Sequence, residues 1–408
     1  MRGFVCALLA LGAAACGGGG GGAGDALDAV TPVQAPDFPA ADLVFGQAGF
    51  TGQDQNRGTS KADADALHMP GMVGADPSGH GLFFVPDVGN NRVLGFFEVP
   101  IFNNIAANFV LGQPGFGFTG PGTAAVALHA PVCAFATFER LYVTDHGNHR
   151  IAIWEGLPIT GGTPMSRVLG QPDAITGMPG AGAAGLNGPT GMCAHGERIV
   201  VADTGNHRVL VWHTHPEVDG APADLVLGQA TFDGVQRNRG LFPGAHTLNE
   251  PTAVWTNGER LVVVDRGNHR VLVWLTFPET DGAPADLVLG QTDFQQIAAG
   301  TGAAGLRDPS DVDSDGGRLL IADAGNNRIL SWHEFPTVTG TPADGVLGQS
   351  DFLHTAPNDD DQDGVQDPIP SARTFSSSAS RFLGVRWQGS NLFVADSGNH
   401  RVLIFHDD

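Results

Sequence analysis

One short signature, Asp-x-Gly-Asn-[His/Asn]-Arg, occurs six times in this chain of 408 residues, and successive copies begin 58 to 73 residues apart. A second pattern, an apolar residue followed by Gly-Gln, also occurs six times. Repetition on this scale is typical of architectures in which each repeat is one supersecondary unit. We therefore predict six structural units. The signatures begin at Asp87, Asp145, Asp203, Asp265, Asp323 and Asp396, and the second pattern ends at Gln47, Gln113, Gln171, Gln229, Gln291 and Gln349.

The unit from Pro189 to Gln229 predicts the local structure of one repeat. Its apolar and alternating segments predict strands at 190–194, 198–202, 208–212 and 225–227, with Gly-containing turns between the first three. Four short strands joined in this way form one blade of a β-propeller. The 59 glycines and 27 prolines of the chain agree with a β-protein that is rich in turns.

The two ends of the chain predict how the ring of blades closes. The last strand, at 402–405, is the third of its unit, whereas residues 42–47 supply a fourth strand that precedes the first unit. We therefore predict an all-β, six-bladed β-propeller of four-stranded antiparallel blades, in which the N-terminal strand completes the last blade. This pairing removes two exposed sheet edges.

The repeated residues of this chain resemble those of the NHL-repeat family of β-propellers over about residues 40–408. The resemblance implies the propeller fold. It leaves the function open, because NHL propellers include protein-binding, RNA-binding and enzymatic members.

The N-terminus resembles an export signal. Arg2 precedes an apolar run at 4–11, and residues 13–16 read Ala-Ala-Ala-Cys, which resembles a bacterial lipobox with Ala13 where Leu is usual. Six glycines follow Cys16 and are typical of a flexible tether. We predict a signal peptide at 1–15, a lipid-anchored tether at 16–40 and a propeller at 41–408 of an exported cell-envelope lipoprotein, in the periplasm or at the cell surface. An ordinary signal peptide is the alternative.

The net charge of the chain argues against some classes of partner. Lys and Arg number 21 against 43 Asp and Glu, so the formal net charge of −22 argues against a nucleic-acid partner and against polybasic membrane attachment. We expect a monomer that contacts a membrane only through its N-terminal lipid.

Two cysteines lie in the predicted propeller. Cys133 and Cys193 either form a disulfide, which an exported compartment permits, or are two small core residues.

Residues that recur in every copy are assigned to structure, and ligand-binding candidates lie where the copies differ. His149 occupies a position that Asn fills in other copies, so we predict a hydrogen-bonding group there and not a zinc ligand. Four connections from Gln to the next Pro are 18 to 22 residues long and end at a polar residue beside the predicted channel. These residues either hold a metal or small polar ligand or cap the inner strands. The pattern Leu-[His/Asn/Arg]-x-Pro at these ends also occurs before the first unit, so the candidates are five: His68, His129, Asn187, Asn249 and Arg307.

The connection before the sixth unit contains an insert at 353–374 that is rich in aspartate. Asp359, Asp361, Asp363 and Asp367 follow the pattern D-x-D-x-D-G-x-x-D, in which alternating carboxylates converge on one hard cation. The pattern resembles the calcium loops of thrombospondin type 3 repeats, and Pro370 stands where an EF-hand loop has Glu. We predict a Ca²⁺ site, and a solvated acidic loop is the alternative.

No G-x-S-x-G, Walker, H-E-x-x-H or dinucleotide-binding motif occurs in the sequence. We therefore predict a scaffold that binds a protein, a glycan or a small ligand on the face that carries the long connections. The alternative is a metal-dependent propeller enzyme with its site at the channel mouth, similar to the lactonase-like hydrolases or to the amidating lyase.

Overall fold

A computed structural model of the chain describes residues 39–76, 81–377 and 382–406. The predicted signal peptide, Cys16 and the tether up to residue 38 lie outside these ranges. Within them, 24 strands form six four-stranded antiparallel sheets, which confirms the predicted six-bladed all-β propeller.

Each of the first three blades consists of four strands that are consecutive in the chain, with the first strand innermost. The first blade contains β2 (Gly74–Ala75), β3 (Phe83–Asp87), β4 (Arg92–Phe96) and β5 (Phe109–Leu111). The second contains β6 (Pro131–Ala136), β7 (Arg140–Asp145), β8 (Arg150–Glu155) and β9 (Arg167–Leu169). The third contains β10 (Met192–His195), β11 (Arg198–Asp203), β12 (Arg208–Trp212) and β13 (Leu225–Leu227).

The remaining blades repeat this order, except that the sixth takes its outer strand from the N-terminal segment. The fourth contains β14 (Pro251–Thr256), β15 (Leu261–Asp265), β16 (Arg270–Trp274) and β17 (Leu287–Leu289). The fifth contains β18 (Asp311–Ser314), β19 (Leu319–Asp323), β20 (Arg328–Trp332) and β21 (Gly345–Leu347). The sixth contains β22 (Leu383–Gln388), β23 (Asn391–Asp396), β24 (Arg401–His406) and β1 (Leu43–Phe45).

Short 3₁₀ turns are the helical elements of the described ranges, and six of them form the repeated turn between the second and third strands. None of these elements is long and apolar enough to cross a membrane. The turns span Gln55–Gly58, Val88–Asn90, His146–Asn148, Thr204–Asn206, Arg237–Gly240, Arg266–Asn268, Ala324–Asn326 and Ser397–Asn399.

The predicted closure of the ring is confirmed by the pairing of β1 with β24. Val44 lies opposite Leu403, and Phe45 lies opposite Val402, in an antiparallel register. The carboxylate of Asp42 extends the contact by accepting a hydrogen bond from the backbone N–H of His406 at 2.8 Å. The last blade is therefore assembled from both ends of the described chain.

Both faces of the central strands are buried because each blade packs between two others. On β12, Leu210 and Trp212 belong to one hydrophobic cluster, and Val209 and Val211 belong to another. Side chains alternate across a strand, so a strand that is covered on both faces consists almost entirely of apolar residues. The sequence of β12, Arg-Val-Leu-Val-Trp, meets this requirement.

The two cysteines of the propeller are free thiols in the core. Burial raises the pKa of Cys133 to about 12 and also raises the pKa of Cys193. Since the thiolate is the reactive form, both act as small apolar core residues.

Candidate functional site

The antiparallel order of the strands gives the propeller two different faces. Turns such as 204–207 and the connections between blades, such as 228–250, emerge on one face, which we call the long-loop face. The first-to-second hairpins, such as 137–139, and the third-to-fourth connections, such as 213–224, emerge on the other, which we call the hairpin face.

The repeated signature forms a buried ion pair at the base of the long-loop face. In the third blade, Asp203 Oδ2 accepts hydrogen bonds from Arg208 Nε at 2.7 Å and from Asn206 Nδ2 at 2.8 Å. Burial raises the pKa of Asp203, and the charge of Arg208 opposes that rise. All six copies hold the same pair at 2.7 to 2.8 Å, with neither side chain exposed to solvent.

The arginine of the signature also fixes the long connection above it. Arg208 Nη2 donates to the carbonyl oxygens of Gly182 at 3.0 Å and Gly185 at 2.8 Å, and Nη1 donates to the carbonyl of Phe232. Gly182 and Gly185 precede the inner strand of the third blade, whereas Phe232 follows its outer strand. One buried guanidinium therefore donates hydrogen bonds both to the connection that precedes its blade and to the connection that follows it.

The position before each arginine joins neighbouring blades. His149 Nδ1 accepts a hydrogen bond from the backbone N–H of Gly188 at 2.9 Å, and Asn91 Oδ1 accepts the equivalent bond from Ala130 at 2.8 Å. The predicted exchange of His and Asn as hydrogen-bonding groups is confirmed, because both present an acceptor to the next blade. The other four contacts of this kind are His207 with Glu250, His269 with Asp308, Asn327 with Ser377 and His400 with Met69.

The five ligand-binding candidates occupy equivalent positions on five blades, and their backbones bind the repeated turn. The Asn249 N–H donates to Asp265 Oδ1 at 2.7 Å, and its carbonyl accepts from the Gly267 N–H at 2.8 Å. A Cβ on Gly267 would lie 2.5 Å from Asn249 Nδ2, so this close approach requires glycine. The backbone contact to the aspartate recurs at His68, His129, Asn187 and Arg307.

The side chains of these candidates differ in exposure. Those of His68, Asn187 and Asn249 are half-buried, and those of His129 and Arg307 are exposed. In the sixth blade Ser376 takes the equivalent position by donating its N–H to Asp396 Oδ1 at 2.8 Å. Sequence reasoning missed Ser376 because the enlarged connection lacks the proline that follows the position by two residues in the other blades.

The aspartate-rich insert brings three of its four predicted ligands together. Oxygen atoms of Asp359, Asp361 and Asp363 lie within 4.8 Å of one another, and this is the one group of three or more His, Cys, Asp or Glu ligand atoms that the described residues bring so close. Asp367 is not a member of the group, and its carboxylate accepts a hydrogen bond from the Asp360 N–H at 2.7 Å. The candidates at the channel mouth are not members of such a group.

The carboxylate group is held by the backbone of its own loop and by the sixth blade. Asp359 is fully buried, and its oxygens accept the N–H groups of Asp363 at 3.1 Å and Gly364 at 3.0 Å. The neighbouring Asn358 exchanges two amide hydrogen bonds, of 3.0 and 2.7 Å, with Asn399 of the repeated turn. Carboxylate oxygens are the ligands that Ca²⁺ prefers, so this group fits such an ion.

The central channel is closed by side chains. Its cavity has a volume of about 20 Å³, which is room for about one water molecule. Two carboxylates on β18 join the fifth and sixth blades, since Asp311 accepts the N–H of Val385 at 2.8 Å and Asp313 accepts that of Trp387 at 2.6 Å. Burial raises the pKa of Asp311 to about 8.

Among the described residues, a groove and a pocket that are larger than the channel cavity lie outside the channel, one on each face. A groove of about 640 Å³ on the long-loop face is lined by the first connection, including Arg57, Lys61 and Asp65, together with Gly117. A pocket of about 470 Å³ on the hairpin face is lined by the second and third blades and by Arg386 of the sixth. The candidates chosen from the sequence line neither cavity.

Comparisons with known proteins bear on the family. The NHL repeat family model matches residues 186–212, which include β10, β11 and β12. No curated protein matches the sequence. Among solved structures, the chain is similar to a chain of a nidogen/laminin complex, with 14% identity, a TM-score of 0.38 and coverage of 69% of this chain and 84% of that chain.

It is also similar to streptogramin B lyase, with 11% identity, a TM-score of 0.40 and coverage of 85% of this chain and 94% of that chain. The matched repeat belongs to the third of six blades that share one signature and one hydrogen-bond network. The chain is a six-bladed β-propeller, and its third blade contains a match to the NHL repeat.

Proposed function

We propose that this propeller is a binding scaffold whose long-loop face docks a protein partner. The observation that carries the proposal is the distribution of exposed large apolar side chains. Eleven of the eighteen in the described ranges lie on connections between blades, and the adjacent Leu241 and Phe242 are 73% and 89% exposed. Contiguous exposed apolar side chains are typical of protein interaction sites.

Hydrogen bonds of the preceding residues hold the loop tip formed by Leu241 and Phe242 in place. The amide of Asn238 exchanges hydrogen bonds of 3.1 and 2.9 Å with Asn268 in the repeated turn of the fourth blade. Arg239 donates to the carbonyl of Gln229 at 3.0 Å. A tip that is already ordered loses little conformational freedom when it binds, which favours affinity.

A second part of the proposal is that Ca²⁺ binds Asp359, Asp361 and Asp363 and stabilises the insert at 353–374. The insert carries three more exposed apolar side chains, those of Leu353, Val365 and Ile369. An ion that neutralises three converging carboxylates favours the compact loop. Calcium would then present this part of the docking face in one conformation.

The proposed location is the bacterial cell envelope, with the propeller attached through a lipid on Cys16. The support is the lipobox-like sequence and the glycine run that follows it. Metabolic labelling with a fatty acid tests the attachment. The label should enter the wild-type protein and be absent from Cys16→Ser; label in that variant would contradict the proposal.

The docking face is tested by a matched pair of double variants. Leu241→Ser with Phe242→Ser removes the apolar side chains of the tip. The control, Ile101→Ser with Phe102→Ser, changes an apolar pair on the hairpin face whose side chains are 66% and 68% exposed. Quantitative capture from the envelope fraction should identify proteins that bind wild type and the Ile101/Phe102 control but not the tip variant. Equal capture by all three proteins would refute the proposal.

A further inference from the structure

The pocket on the hairpin face has a floor made by two blades that are not neighbours. Phe135 of β6 and Arg386 of β22 line both this pocket and the small cavity of the central channel, so they separate the two. The guanidinium carbon of Arg386 lies 4.7 Å from the centre of the Phe135 ring. The floor thus carries a positive charge over an aromatic surface.

The guanidinium of Arg386 has unused hydrogen-bonding capacity. Its closest carboxylate oxygen, Asp313 Oδ1, is 3.6 Å from Nη1, and no side-chain N–H of Arg386 donates a hydrogen bond to a described residue. The side chain is 23% exposed. A planar fork of free donors at the bottom of a pocket matches the geometry of a carboxylate.

The rim of the same pocket carries the opposite charge. Glu139 and Glu197 are exposed there, and Arg140 between them is engaged by Glu155 at 2.9 Å and by Glu197 at 3.5 Å. Within the described chain, the carboxylate of Glu139 has no cationic partner. It remains available to an ammonium group.

Apolar surface lies between the charged floor and the charged rim. The Phe138 ring is 69% exposed, and Ala136 and Ala194 complete the wall. The volume of about 470 Å³ falls in the usual range of about 300–1,000 Å³ for small-molecule sites. The ligand that fits this order of groups has an anionic end, an apolar middle and a cationic end.

We propose that this pocket binds a small zwitterion of the short-peptide class. The ligand carboxylate pairs with Arg386, its ammonium group pairs with Glu139, and its apolar side chain packs on Phe138. This site lies on the face opposite the proposed docking surface, so the proposal of a zwitterion site does not depend on the proposed protein partner.

Calorimetry with the dipeptide Ala-Phe tests the proposal on the full chain. The wild-type protein should bind Ala-Phe, whereas the C-terminal amide and the N-acetyl derivative should each bind about tenfold more weakly or worse, because each lacks one charged contact. These probes leave the protein unchanged, so they test the site even where a variant folds poorly. Absence of binding by Ala-Phe, or equal binding of the blocked peptides, would overturn the proposal.

Two arginine variants locate the binding site. Arg386→Gln should weaken Ala-Phe binding by about tenfold or more. The matched control is Arg260→Gln, because Arg260 also stacks on an aromatic ring of the hairpin face, that of Phe335 at 4.5 Å, yet lies outside the pocket. Loss of binding in the control, or its retention in Arg386→Gln, would assign the ligand to another site.

Discussion

The long-loop face consists of two layers that use their side chains in opposite ways. In the lower layer Asp203 and Arg208 are fully buried, and the carboxylate and guanidinium are engaged by protein groups. In the upper layer Leu241 and Phe242 are mostly exposed. The comparison shows that the residues repeated in every blade support the architecture. The proposed binding function therefore depends on residues that differ between blades.

A comparison of short and long connections shows how the repeated turn keeps its hydrogen bonds when the length of the connection above it changes. The Asn206 amide of the repeated turn donates to the carbonyl of Gly180 at 2.8 Å, in a connection of ordinary length. Where the connection is longer, the equivalent Asn268 instead donates to the side chain of Asn238 at 2.9 Å. The turn is satisfied in both cases, so a blade tolerates loops of different length.

The largest effect is expected when the lower layer loses a charge. Asp203→Ala leaves Arg208 buried without its carboxylate, which should lower the free energy of unfolding by about 3–5 kcal/mol. Asp233→Ala, in the exposed loop above, should change it by less than about 0.5 kcal/mol. Urea unfolding measures both values. Equal effects of the two substitutions would contradict the division into layers.

An intermediate effect is expected at the contacts between blades. His149→Ala removes the acceptor of the Gly188 N–H and should lower the free energy of unfolding by about 1–3 kcal/mol. His149→Asn restores an acceptor of the kind that Asn91 provides, and Asn tolerates the left-handed backbone of this position, where φ is 53°. Urea unfolding should therefore place His149→Asn close to wild type. An Asn variant as unstable as the Ala variant would refute the acceptor role.

A smaller, pH-dependent effect is expected where the ring closes. Burial lowers the pKa of His400 to about 4, and its neutral Nδ1 accepts the Met69 N–H at 3.0 Å. The unfolded chain, with a His pKa of about 6.5, binds this proton more readily, so His400 lowers stability as the pH falls from about 6.5 to about 4. His400→Asn should reduce the difference between urea midpoints at pH 7 and pH 4.5. An unchanged difference would show that His400 is not the titrating group.

The fold was predictable from the sequence because each repeat carries the same two short signatures together with its own turn residues. The strand at Leu225–Leu227 and the closure by β1 follow from that pattern, although β10 begins at Met192, two residues later than predicted. The candidates His129 and Arg307 were placed at the correct edge of their blades, but the contact that recurs there is made by the backbone.

Contacts between residues of different blades could not be predicted from the sequence. Arg386 and Phe135 meet across the channel although 251 positions separate them in the chain. A charged residue on a mostly apolar inner strand was the available signal for Arg386, and the two carboxylates of one inner strand, Asp311 and Asp313, were the signal for β18. Likewise, the spacing of the insert placed Asp359, Asp361 and Asp363 together, but it did not reveal that Asp367 binds the Asp360 backbone.

The division between supporting and binding layers is tested most directly by hydrogen–deuterium exchange with and without Ca²⁺. We predict slower exchange in the presence of Ca²⁺ within 353–374 and unchanged exchange in the repeated turns of the first four blades, with the difference abolished by Asp361→Ala combined with Asp363→Ala. Equal exchange in the insert with and without Ca²⁺, or a calcium effect spread over all six blades, would contradict the account.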